Sequence, residues 1–72
     1  MTHPGGAVDP LDEPSWLVWA GADVVGPVSA RQIAIGIARG KVPTDASIQR
    51  VGDVWWSGVL DEPLVIEALT LA

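Results

Sequence analysis

The chain predicts an α+β fold: a small antiparallel sheet packed on one main helix, with a short C-terminal helix. Three observations carry this expectation. Trp16-Leu17-Val18-Trp19 is an aromatic and β-branched run that ends in turn residues. Ser29 to Arg39 has a capped start and a helical apolar stripe, and Gly40 follows it. Ser47 to Val51 is a second strand-like run, closed by Gly52-Asp53.

Residues 1–14 read as a disordered acidic tail. Pro4, Gly5, Gly6, Pro10 and Pro14 interrupt any period, and Asp9, Asp12 and Glu13 add like charges. The domain is then expected over 15–72. Trp16 to Trp19 forms the first strand, with Trp16 and Val18 on one face and Leu17 and Trp19 on the other. Ala20-Gly21-Ala22-Asp23 turns the chain into a short strand at Val24-Val25, which Gly26-Pro27 is expected to break. Ser29-Ala30-Arg31-Gln32 has the form of a capping box. Ala30, Ile33, Ala34 and Ile37 make the core stripe of the helix. Gly40 suits the left-handed position past its end. Ile35 falls off the stripe, near Arg31 and Arg39. Gly36 in mid-helix costs about 1 kcal/mol against Ala and so calls for a packing or functional reason. Beyond the strand Ser47 to Val51, Val54-Trp55-Trp56 forms a strand or tight turn. Asp61 is the expected cap of a last helix beginning near Pro63, with Leu64, Ala68 and Leu71 toward the core.

Composition narrows the function classes. Seventy-two residues make one domain at most, near the lower limit for a self-supporting core. There is no Cys, so neither a disulfide nor a thiolate metal site is available. Four basic against nine acidic residues argue against a nucleic-acid partner, which would need clustered Lys and Arg. Three of those acids lie in the expected tail, so the rest of the chain is nearly balanced. No uncharged apolar run approaches the ~20 residues of a membrane span, so no direct membrane insertion is expected. Met1-Thr2-His3-Pro4 lacks the basic and apolar regions of a signal peptide, and a cytoplasmic protein is expected.

No catalytic constellation is legible. The single histidine, His3, stands in the tail with no reason to meet Ser29, Ser47 or Ser57. The carboxylates lack ligand-loop spacing and the glycines lack phosphate-loop spacing. No enzyme activity, metal or cofactor is expected.

The segment from Trp16 to Val59 resembles the GYF domain, especially its bacterial GYF-like branch. A Trp-led strand precedes Gly26-Pro27-Val28-Ser29, where the family has Gly-Pro-Phe and a small or polar cap. A helix ends in Arg39-Gly40-Lys41-Val42-Pro43. Asp45, the strand Ser47 to Val51, and Gly52 followed by Trp56 match the bacterial pattern Gly-x-x-x-Trp. The likeness covers about 44 of the 72 residues. The eukaryotic signature is Gly-Pro-Phe, four residues, Met, two residues, Trp, three residues, Gly-Tyr-Phe. Its spacing is kept as Gly26-Pro27-Val28, Ile33, Gly36 and Gly40-Lys41-Val42. Its aromatics are replaced throughout, Gly36 standing for the helix Trp and Lys41 for the tyrosine.

In the family those two aromatics help form the pocket that grips proline-rich peptides. The resemblance therefore implies an inherited scaffold with a rebuilt ligand surface. Aromatic slots suit the ring ridges of a polyproline II ligand, and Trp16, Trp19, Trp55 and Trp56 are the aromatics present. Trp19 and Trp55 are the expected ligand-facing members, with Trp16 and Trp56 at least half buried. Ile35 and Gly36 would add a shallow groove on the helix, and Lys41 a partner for an acidic ligand residue. The chain is thus expected to be a non-catalytic interaction module that recognises a proline-containing or short linear peptide. The alternative is a structural or oligomerisation module, such as a homodimer, that has kept the scaffold and lost proline-rich binding. The segment Asp9-Pro10-Leu11-Asp12-Glu13-Pro14 is a candidate pseudo-ligand for the Trp surface.

Overall fold

The computed structural model describes residues 9–71. It has the expected α+β architecture: a four-stranded antiparallel sheet with a main helix and a short C-terminal one. The strands are β1 (Trp16–Ala20), β2 (Asp23–Val28), β3 (Ser47–Arg50) and β4 (Ser57–Gly58), in the spatial order β2-β1-β3-β4. The helices are α1 (Ala30–Ala38) and α2 (Pro63–Leu71). Trp16, Val18 and Ile48 of the sheet share one buried cluster with Ala30, Ile33 and Ala34 of α1 and with Val65 and Ala68 of α2.

Period-2 alternation assigns the sheet faces. Trp16 and Val18 are buried, whereas Trp19 is exposed. Gly26-Pro27 does not break the second strand as expected. β2 runs through it, and one residue of β1, Leu17, lies opposite two of β2, Gly26 and Pro27. Pro is tolerated there because β2 is an edge strand and Pro27 lies in the bulge, outside the regular pairing with β1. The Gly26–Pro27 peptide is cis. Val54-Trp55-Trp56 is not a strand either; pairing resumes only at Ser57.

Helix α1 starts on the predicted capping box. Gln32 N–H donates to Ser29 Oγ at 3.1 Å, and Ser29 N–H donates to Gln32 Oε1 at 2.8 Å. At its other end Gly40 takes a φ of 72°. The chain then folds back, and the N–H groups of Lys41 and Val42 both donate to Gly36 O.

The last helix differs from the expectation in cap and phase. Glu62, not Asp61, caps it, Leu64 N–H donating to the Glu62 carboxylate at 3.0 Å. Asp61 instead ends a short 3-10 turn, Val59–Asp61. Val65 and Ala68 are buried, Leu64 and Leu69 are partly covered, and Leu71 is exposed. Apolar residues surround this helix, so periodicity alone does not set its phase.

The boundary of the expected tail also moves. Residues 1–8 lie outside the described residues. Asp9 caps a 3-10 turn, Pro10–Asp12, accepting from Leu11 N–H at 2.9 Å. Leu11 is only 2% exposed and belongs to the core. Arg31 of α1 holds the turn from outside: its Nε donates to Asp12 Oδ1 at 2.7 Å, and Asp9 Oδ2 lies 3.6 Å from Nη2. The hydrogen bond to Asp12, and then its charge, raises the Arg31 pKa above its ordinary value. A composition reading missed this because one apolar side chain among prolines and acids suffices to anchor the segment.

Candidate functional site: an aromatic pair on the open sheet face

The face of the sheet opposite the helices carries the site. Cross-strand partners point to the same face. Trp19 stands opposite Val24 on one side and Ser47 on the other, and Ser47 stands opposite Gly58. Val24, Trp19, Ser47 and Gly58 therefore form one row across all four strands. Trp56 precedes Gly58 by two residues and falls on the same side. Its ring meets that of Trp19 edge to face, with centroids 5.5 Å apart and planes at 62°. The pair remains accessible, Trp19 at 48% and Trp56 at 37%.

The four tryptophans thus separate into three roles. Trp16 is core, and the Arg50 guanidinium lies over its ring at 4.4 Å. Trp19 and Trp56 form the exposed pair. Trp55 is 80% exposed in the loop before β4, a loop in which Val51 and Val54 are exposed as well. Trp56 was absent from the site expected from sequence. The signal available for it was the period-2 offset from Gly58, which needs the β3–β4 register to be known.

The other expected site residues are not gathered here. Ile35 is exposed but lies about 150° around α1 from the core stripe, counting 100° per residue. It therefore faces away from the sheet, whereas Trp19 is on the far side of that sheet. Lys41 is exposed just past α1. Gly36 opens no groove, because Val42 fills the space: a Cβ on Gly36 would stand 2.6 Å from Val42 Cγ2. The proposed pseudo-ligand segment is also elsewhere. Its turn, Pro10–Asp12, packs against α1 and α2, not against Trp19.

Chemically, the surface offers aromatic faces and edges, with half-exposed Val24 beside them on β2. Among the described residues there is no enclosed cavity and no group of three side chains able to hold a metal. No described helix is long and apolar enough to cross a membrane. No family model matches the chain, nor does any curated protein or solved structure.

Proposed function

We propose that the chain is a GYF-like interaction module that binds a proline-containing or short linear peptide on the open face of its sheet. The observation that supports this is the exposed Trp19–Trp56 pair. A large aromatic left half in solvent has to be accounted for in a domain this small, where core material is scarce. An edge-to-face pair makes a notch between two planes. A proline ring or a branched side chain fits such a notch and loses little entropy there if its backbone is already extended. Trp55, the next residue in the chain and 80% exposed, is a further aromatic that a longer peptide could reach. A single short segment would bind weakly, and repeated motifs in a partner would raise the avidity.

Titration of the full chain with a diverse set of proline-rich peptides tests the reading, followed by amide shifts and Trp fluorescence. Trp19→Ala and Trp56→Ala are expected to keep the fold and to weaken binding at least about tenfold, in the range of an interface anchor. No response to any peptide sinks the reading.

The self-association alternative draws on a separate observation: edge strand β2 shows half-exposed Val24 and Val25. Light scattering across concentration decides it. A strict monomer removes that alternative and leaves the peptide reading in place.

A further inference from the structure

The Trp face ends in a carboxylate that the fold itself does not use. Gly58 closes the row Val24–Trp19–Ser47–Gly58 and has no side chain to occupy its place on that face. Asp61 occupies it instead. Its Oδ2 stands 2.8 Å from the point where a Cβ on Gly58 would lie. Strands are spaced ~4.8 Å apart, so Gly58 is two strands, or about 10 Å, across the sheet from Trp19. Trp56 reaches over the strand between them to touch Trp19.

Nothing among the described residues neutralises Asp61. The ion pairs there both belong to Arg31, with Asp9 and Asp12. Arg50 is stacked on Trp16, and Arg39 and Lys41 follow α1 in the other layer. Nor does Asp61 cap α2, since Glu62 does so. An aromatic pair with a free carboxylate at one end matches a ligand that is apolar at one point and cationic a fixed distance away.

We infer that the Trp19–Trp56 surface selects an extended peptide bearing a Lys or Arg about three residues from the apolar residue that packs on the rings, the cation being received by Asp61. The spacing follows from the ~3.1 Å rise per residue of a polyproline II chain, which covers about 10 Å in three residues. The inference rests on the peptide-binding reading and adds a polarity to it, since only one chain direction puts the cation at the Asp61 end for a given order of residues.

The test uses blocked peptides of equal length, Pro-Pro-Pro followed at the third residue by Arg, Gln or Glu, titrated into the full chain and into Asp61→Asn. An exposed ion pair is worth a few tenths to about 1 kcal/mol, so the Arg peptide is expected to bind roughly two- to fivefold tighter than the Gln peptide. The Glu peptide should be weakest. The order should collapse in Asp61→Asn and fade in high salt, where such pairs are screened. Equal affinity for Arg and Gln peptides overturns the inference, and so does a preference that survives Asp61→Asn. In both those cases, binding of the Gln peptide that Trp19→Ala abolishes leaves the peptide-binding reading intact. Failure of all three peptides to bind either protein overturns the inference and that reading together.

Discussion

Replacing a mid-helix glycine by alanine ordinarily stabilises a helix by about 1 kcal/mol. At Gly36 the surroundings reverse the expectation. The left-handed Gly40 turns the chain back, the N–H groups of Lys41 and Val42 bond to Gly36 O, and Val42 comes down on the bare Cα. A methyl group there meets Val42 Cγ2 at 2.6 Å, and Val is too stiff at χ1 to step aside. Overpacking of this kind costs about 1–3 kcal/mol, enough to cancel the helical gain. Gly36→Ala should therefore leave the protein no more stable and up to about 2 kcal/mol less so. Joined with Val42→Ala, it should be restored by about 1 kcal/mol or more relative to additivity. Urea melts of the two single variants and the double variant measure this; strict additivity would sink the packing explanation.

At the scale of elements, what could be read in the sequence was whatever local chemistry determines. The Ser29 capping box, the α1 stripe and the turn glycines all depend on residues a few positions apart, and the structure has them as read. What could not be read depends on neighbours distant in the chain. β2 is the clearest case. Gly26-Pro27 signals a break locally, yet the strand persists because β1 lies alongside and the bulge absorbs the extra residue. Trp56 is another: at 37% exposed it is more than half buried, as expected, but its pairing with Trp19 on the open face depends on the β3–β4 register. Asp61 and Glu62 are adjacent carboxylates, and only the geometry of the Val59–Asp61 turn decides which one caps α2. The bulge also yields a prediction. Gly26 has a φ of 135°, and a Cβ there would stand 2.6 Å from the carbonyl oxygen of Trp16. Backbone cannot move aside as a side-chain tip can. Gly26→Ala is thus expected to cost at least about 2 kcal/mol, above the usual strain of a wrong backbone region alone. Thermal melts check it, and a cost below about 0.5 kcal/mol would mean that β2 rearranges freely.

For the molecule as a whole, the question is where the folded unit begins. The segment just before Trp16 has the composition of a tail, and its two contacts with the body differ greatly in weight. The Arg31 pairs with Asp9 and Asp12 are exposed, where ion pairs are worth about 0–1 kcal/mol. Because Arg31 has its pKa raised, its charge persists until pH rises above the guanidinium's ordinary range, so near neutrality its titration gives the clamp no pH dependence. Leu11 is different. It is buried in the common core, and truncating such a residue to Ala costs about 2–5 kcal/mol. Domains of this size have only about 4–10 kcal/mol in all, so Leu11 accounts for a large part of the stability. The folded unit therefore extends to at least residue 9. Removing 1–14 should destabilise the protein at least as much as Leu11→Ala, whereas Arg31→Gln should cost under about 1 kcal/mol. Peptide affinity at the Trp19–Trp56 surface should be unchanged at temperatures where the shortened chain is still folded, because the 3-10 turn packs on the helices and not on that surface. Denaturant melts of the three variants, with peptide titration at low temperature, measure both effects. A shortened chain as stable as the full one would show that the turn merely rests on the domain. A gain in affinity would show that the N-terminal segment competes for the Trp surface after all.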